Sequence, residues 1–353
     1  MSDEKREAES LRAEPPRVPL VSVCICTFHR PHLLPALFDA LATRERVPGP
    51  VEIVVVDNDR AGSATPAIAA AREAHPSLRI RSFIEPEQNI ALARNRAVGK
   101  ARGRFIAFID DDEVPDPAWL ASLLATAEAT GADGVFGPVV PRLPVDVQPW
   151  IERGGFFDRP RHPTGAPVPT DELRTGNALL RRELLAGPQP VQPVRLTVLR
   201  SVPADGADDE PADTGRRESP FDPAYGLSGG EDSTLFGSLA ATGARFVWCD
   251  DAIVRETVPP ERANLAYLLR RSFGGGHGYA RLRLVREGAS AVPSLLLRGG
   301  ASVGCAALMS LATLPLGLHH SVKWTRIGAA GIGKLLGITP LAFEPYRAPT
   351  TNS

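Results

Sequence analysis

Over the first half of the chain, apolar residues come in unbroken blocks separated by stretches with helical spacing. The run "LVSVCICTF" (20–28) is apolar and β-branched, and apolar residues at helical intervals follow from Leu33 to Ala42. "VEIVVVDND" (51–59) predicts a second strand, with a helix over 64–74. "LRIRSFIE" (78–85) predicts a third, with a helix over 90–101. "RFIAFID" (104–110) predicts a fourth, with a helix over 117–130 stopped by Gly131, and "GVFGPVVPRL" (134–143) a fifth. Continuous apolar strands alternating with helices form a mostly parallel sheet covered on both faces, an α/β fold. Ligands bind such sheets at the carboxyl ends of the strands. Thr27, Arg30, Asp57, Asp59 and Asp110 to Asp112 all fall there.

After Pro144 the texture changes. Residues 145–170 are rich in Pro, Gly and charge, and "TGNALLRRELL" (175–185) predicts a short strand and helix. Residues 187–220 have little to bury and read as a disordered insertion. Order returns at 226–256 with a Gly-rich loop, a helix over 231–241 and a strand. Residues 261–290 form a basic helical segment with an expected break at "FGGGHG" (273–278). The stretch 299–318 is twenty residues without a charge, long enough to cross a hydrocarbon core. A second apolar stretch, 327–338, carries only Lys334, and Arg281, Arg283, Arg286, Arg298, Lys323 and Arg326 flank the pair. Basic flanks suit a peripheral, re-entrant or single-span segment on an anionic cytoplasmic leaflet; the competing reading is a pair of core helices. The expected division is a tail (1–17), a catalytic α/β domain (18–260), the basic helix (261–290), apolar helices (291–340) and a second tail (341–353).

Composition narrows this little. Net charge is −1, from 40 basic and 41 acidic residues, so no global field recruits nucleic acid. Cys24, Cys26, Cys249 and Cys305 show neither metal-ligand spacing nor a disulfide framework, which fits a reducing compartment. The N-terminal tail has no apolar segment of the kind a signal peptide needs.

The chemistry concentrates at Asp110, Asp111 and Asp112, with Glu113 behind them. Asp is a favoured helix N-cap, but "DPAWL" needs no help from them, since Asp116 can cap and Pro117 can open the helix. Crowded carboxylates raise one another's pKa unless a cation compensates. Hard oxygen ligands at a strand end suit Mg²⁺ or Mn²⁺, which keep places for substrate phosphates. In extended geometry Asp110 and Asp112 point to one side.

Five stretches in one order resemble glycosyltransferase family 2: "VSVCICTFHR", "VEIVVVDND", "EQNIALARNRAVGKARGRFIAFIDDDEVPDPAWL", "TGNALLRR" and "FDPAYGLSGGEDSTLF". Together they cover about residues 20–256. "DDAIVRETVPPERANLAYLLRRSFGGG" is similar to a bacterial subgroup containing succinoglycan-type β-glucosyltransferases. The resemblance implies a GT-A fold and inverting transfer from a nucleotide-sugar, glucose from UDP-glucose, to a polyprenyl-linked saccharide at the cytoplasmic face of the bacterial inner membrane. It implies that Thr27 and Arg30 lie against the nucleotide, that Asp57 bonds the base, and that Arg94 and Asn95 border the pocket. Asp110 and Asp111 would sit near ribose and sugar, with Asp112, helped by Asp110, on the metal. Asp232 would be the base and Glu231 an orienting group. Asn177, Arg262, Arg270, Arg271 and His277 are candidates for diphosphate or acceptor contact. The Gln-x-x-Arg-Trp motif of processive relatives is absent, and Glu256 stands near where many relatives carry a His.

Two other classes remain as alternatives. A sugar nucleotidyltransferase would want a Gly-rich phosphate loop after the first strand, where "CTFHRPHLLP" has no glycine. A non-catalytic nucleotide-sugar or lipid-binding scaffold would have no need of the Asp-x-Asp and Glu-Asp pairs. No G-x-G-x-x-G turn follows an early strand, which disfavours a dinucleotide-dependent dehydrogenase.

Overall fold

The computed structural model describes residues 18–185, 219–227 and 229–339. The tail 1–17, residues 341–353 and all but the end of the expected insertion at 187–220 lie outside the described residues.

Alternation within each apolar block sends side chains to two cores. In β1 (Val21–Thr27), Val21, Val23 and Ile25 enter one core, and Cys24 enters the other. Helix α1 (Leu34–Ala42) buries Leu34, Leu37, Phe38 and Leu41 against the first. Next come β2 (Val51–Asp57), α2 (Thr65–Ala74), β3 (Arg79–Ile84) and α3 (Ile90–Lys100). The Asn89 side chain starts α3 by accepting from the backbone N–H groups of Ala91 and Leu92. Then follow β4 (Phe105–Phe108), β5 (Glu113–Pro115) and α4 (Trp119–Thr130), which ends at left-handed Gly131.

The expected fifth strand divides into β6 (Gly134–Phe136) and β7 (Val139–Arg142), which join different sheets. At the crossing a Cβ on Gly137 would stand 2.4 Å from the Ala252 carbonyl, so only glycine fits. A short helix α5 (Pro149–Gly154), β8 (Ala178–Arg181), α6 (Arg182–Leu185), α7 (Glu231–Ala241), β9 (Phe246–Trp248) and β10 (Val254–Thr257) complete the body.

Seven strands form one sheet in the order β3-β2-β1-β4-β8-β6-β9, and β5-β10-β7 form a second. β1 pairs in parallel with both β2 and β4, whereas β8 runs antiparallel to β4 and β6. The chain therefore winds outward from β1 to β3 and then returns to place β4 on β1's other side. That reversal is a topological switch point, the place where open sheets leave a crevice. The register sets Cys24 beside Phe108, so the segments after β1 and β4 emerge side by side. This is the GT-A arrangement, a mixed, mostly parallel sheet with helices on both faces.

The C-terminal third departs from two expectations. Helix α8 (Leu265–Glu287) runs unbroken through Gly274–Gly276. Its glycines permit close approach instead: a Cβ on Gly276 would lie 2.0 Å from the Ala330 carbonyl, and one on Gly333 would lie 2.1 Å from the Phe273 carbonyl. The apolar stretch 299–318 is also not one helix. Helix α9 (Val292–Ala312) covers its first part only, and the turn through Leu314–Leu316 and Gly317 leads into α10 (Leu318–Leu336), which packs on both α8 and α9. Among the described residues, Gly288–Ala312 is the one helical stretch long and apolar enough to cross a membrane, and 17% of its apolar window is buried within the protein. Leu297, Leu308 and Leu311 stand exposed on it. Phe156 and Phe157 meet Val258, Leu268 and Val322 in a separate cluster that joins these helices to the body.

Adjacent glycines of α8 therefore differ in sign. Gly276→Val forces α10 away and destabilises the protein by about 1–3 kcal/mol, the range for overpacking. Gly275, with open space around its Cβ position, gains about 0.5–1 kcal/mol on change to Ala. Denaturant unfolding of both variants beside the wild type checks this.

Candidate active site

Beyond β4 the chain does not stay extended. The Glu113 N–H donates to the Asp110 carbonyl (3.2 Å) and the Asp110 N–H donates to Glu113 Oε2 (3.0 Å), closing a turn around the carboxylates. The expected one-sided Asp110/Asp112 pair is therefore replaced by three directions. Asp111 turns inward, accepting from Thr27 Oγ1 (2.7 Å) and Arg30 Nη2 (2.5 Å). Asp112 meets Arg30 Nη1 (2.9 Å) and, more loosely, Arg262 Nη1 (3.5 Å). Asp110 lies 3.6 Å from Arg94. Asp116 is not the cap of α4; it forms a forked pair with Arg255 (2.9 and 3.0 Å).

Mutual repulsion is not the main stress on these carboxyls. Burial comes first and pushes Asp111 up to about 7, even with Arg30 and Thr27 opposing it. Burial likewise raises Glu113, and the protein packed around Asp110 raises it even though its side chain is 44% exposed, with neighbouring carboxylates adding in both cases. Arginines compensate: Arg159 bonds Glu256 (2.5 Å), and Glu256 in turn lies 3.6 Å from Arg262.

The second group arrives with α7. Gly229 and Gly230 adopt φ of 79° and 98°, conformations that side-chain-bearing residues rarely take, and they set Glu231 and Asp232 at the first turn of the helix. Glu231 is buried and pairs through Oε1 with Arg94, while its Oε2 has no hydrogen-bond partner among the described residues. With both side chains at 10% exposure or less, removing either partner costs about 3–5 kcal/mol. The open Arg161–Asp250 pair is worth about 0–1 kcal/mol. Asp232 Oδ1 accepts from the Ser233 N–H (2.7 Å).

Arg94 joins the two groups. Asp110 from the sheet rim, with Glu231 and Asp232 from α7, lines one polar cleft of about 190 Å³. Gly176 forms part of its wall, where a Cβ would stand 2.8 Å from Glu113 Oε1 and 3.3 Å from Asp110 Oδ2. Arg159 and Arg174 also line it, and sequence reasoning missed both. Arg159 lies in a loop without periodicity, so nothing local marks it. Arg174 directly precedes "TGNALLRR", and that adjacency was an available signal.

Several predicted residues are employed elsewhere. Asp57, 2% exposed, accepts from the N–H groups of Ala64 (2.7 Å) and Asp59 (3.2 Å), which makes it the closure of its own loop. Asn95 clamps Phe221 through both of that residue's backbone groups (2.7 and 2.9 Å). Asn177 is fully buried with φ 56°, accepts from Trp119 Nε1 (2.7 Å) and donates to the carbonyls of Pro138 (2.9 Å) and Ala252 (2.7 Å). It ties α4 to the chain around β7 and β10 and is not free for phosphate. His277 is buried, stacked on Phe273 and packed where Gly333 approaches α8. Arg270 is exposed, and Arg271 lies over the Phe157 ring.

The carboxylates fit a hard divalent cation. Among the described residues no three Asp, Glu, His or Cys side chains converge on one point. One or two carboxylate oxygens, with the remaining places left for water and phosphate, is the set that Mg²⁺ and Mn²⁺ take. Asp112, 13% exposed, and Asp110, 44% exposed, would be the carboxylates to hold such an ion.

Comparison with known proteins agrees with this architecture. Residues 22–186 match the model for the family described as glycosyl transferase family 2. The chain is 32% identical over 338 residues to the succinoglycan biosynthesis protein ExoM of Rhizobium meliloti, covering 94% of this chain and 97% of that one. It is 33% identical over 117 residues to succinoglycan biosynthesis protein ExoO of the same organism, about a third of either chain. Among solved structures it is similar to the mannosyltransferase PcManGT of Pyrobaculum calidifontis in complex with GDP-Man and Mn²⁺. That match has a TM-score of 0.53 and 21% identity, over 94% of this chain and 92% of that one.

Asn177→Ala strands the Trp119 indole and the Ala252 carbonyl without partners, while the Pro138 carbonyl keeps the Val254 N–H. At about 1–3 kcal/mol for each buried orphan, it lowers unfolding free energy by about 3 kcal/mol or more. Chemical denaturation followed by tryptophan fluorescence measures this.

Proposed function

The chain belongs to glycosyltransferase family 2, and from that membership we propose that it is an inverting, metal-dependent enzyme of exopolysaccharide assembly. In this reading it moves glucose from UDP-glucose to a polyprenyl-linked saccharide at the cytoplasmic face of the bacterial inner membrane. The observation that carries the reading is the single cleft shared by Asp110, at the end of β4, and Asp232, at the start of α7. Likeness to ExoM over nearly the whole chain supports the pathway, and the exposed leucines of α9 between basic flanks support the membrane.

Each residue's task follows from its setting. Asp232 takes the proton of the acceptor hydroxyl as its oxygen attacks the anomeric carbon. Attack comes from the face opposite the departing nucleotide, so the configuration inverts. Gly229 and Gly230 keep bulk away from that approach, and Glu231, held on Arg94, fixes the first turn of α7. Thr27 and Arg30 hold Asp111 and Asp112 in place beside the nucleotide. Arg30 and Arg262 present guanidinium forks suited to phosphate oxygens. Asp112, with help from Asp110, would hold Mg²⁺ or Mn²⁺, which when bound would supply neutralisation of charge on the leaving diphosphate.

Purified full-length protein turning over UDP-, GDP- and dTDP-sugars with Mn²⁺ tests the assignment. UDP-glucose is the expected donor, and Asp232→Asn lowers kcat by about 10²–10⁴-fold, the usual worth of a general base. Unchanged turnover in that variant contradicts the role. For the membrane, the protein should co-float with phosphatidylglycerol vesicles and remain bound in about 1 M salt, where the Debye length is about 3 Å and exposed charges are screened. Release by salt alone would mean that the apolar helix does not enter the bilayer.

A further inference from the structure

Among the described residues, the cleft wall carries one arginine that no carboxylate pairs with. Arg94 is paired with Glu231 and Asp110, Arg159 with Glu256, and Arg262 with Asp112 and Glu256. Arg174 lines the cleft, and among the described residues no carboxylate lies within ion-pair distance of its guanidinium. Its charged surroundings are mixed: Arg159 and Arg271 oppose its charge, and Asp232 and, more weakly, Glu172 favour it. Arg174 is exposed on the cleft wall, and packing around its guanidinium, then Arg159, lower its pKa from the ordinary arginine value, a direction that a bound anion would oppose.

Its position favours one side of the reaction. Thr27, Arg30 and Asp112 mark the nucleotide flank, where every arginine already has a carboxylate. Arg174 instead comes from the loop before β8 and faces Asp232. Under the function proposed above, on which this step rests, the group beside Asp232 is the acceptor. We propose that Arg174, backed by Arg159 and Arg271, is an oxyanion-binding site for an acidic group carried by the acceptor, either a phosphate or a carboxylate. Selection of an anionic acceptor then follows from a guanidinium on the cleft wall that has no carboxylate of its own to pair with until the acceptor arrives.

Binding measurements on the full-length protein in detergent test this without turnover, so a failure of the catalytic reading leaves the result interpretable. The probes are farnesyl diphosphate, with farnesol as its uncharged counterpart, methyl glucuronide, with methyl glucoside as its counterpart, and UDP. The wild type should bind at least one anionic probe tenfold or more tighter than its neutral counterpart. Arg174→Ala should abolish that preference, Arg174→Lys should restore part of it, and UDP affinity should stay within about twofold in both. Preference for farnesyl diphosphate assigns the anion to a lipid phosphate, and preference for methyl glucuronide assigns it to an acidic sugar. Equal anion preference in wild type and Arg174→Ala overturns the proposal. So does a parallel loss of UDP affinity, which would place Arg174 on the donor. Thermal unfolding of both variants identifies any loss that reflects misfolding.

Discussion

Everything at the rim of the large sheet depends on arginines from distant parts of the chain neutralising carboxylates that β4 delivers together. Asp110 to Glu113 leave the strand as a tight turn in which burial, more than mutual repulsion, penalises the charged forms. Arg30 comes from the loop after β1, Arg94 from α3, Arg159 from the loop after α5, and Arg262 from the turn before α8. Each of these segments is fixed in turn by one of the hydrophobic clusters. The folded core and the charge balance at its edge therefore depend on each other. In the proposed function, a cation and a diphosphate arriving together would replace opposite charges at this rim with opposite charges.

Much of the scaffold was legible in the sequence. β1, β2, β3 and β4 fall within a residue or two of the apolar runs, because strands buried on both faces leave little else those runs can be. The Asp and Glu-Asp clusters were visible for the opposite reason: like charges adjoining a buried strand need an explanation. What failed was the direction of side chains. Asp112 turned away from Asp110 because a turn closes at Glu113, which alternation along a strand cannot foresee. Asn177 and Asp57 sit inside motif stretches, yet their polar atoms close loops and cross-tie strands. Motif likeness alone does not separate a residue that touches a ligand from one that holds the loop which does. Arg159 was invisible because its meaning exists only once Glu256 and Asp110 are beside it.

The C-terminal helices carry a related lesson. Three consecutive glycines in α8 looked like a break, since glycine disfavours helix by about 1 kcal/mol relative to alanine. The helix persists because Gly276 lets α10 approach to backbone contact, an interaction with a segment more than fifty residues away. α8 begins beside Arg262, whose guanidinium reaches Asp112, and continues past Tyr279, which accepts from Arg283 and Arg298. One rigid element thus runs from the catalytic rim to the apolar pair that meets lipid in the proposed function. The acceptor's lipid and the reacting hydroxyl would then be presented along the same helix.

The central claim is that the carboxylate rim, a divalent cation and the donor's diphosphate form one charge-balanced unit. Calorimetric titration of Mn²⁺ with and without saturating UDP tests it most directly. The account predicts weak Mn²⁺ binding alone, binding at least tenfold tighter with UDP present, and loss of that enhancement in Asp112→Asn. Mn²⁺ affinity that is indifferent to UDP, or equally enhanced in Asp112→Asn, would contradict it.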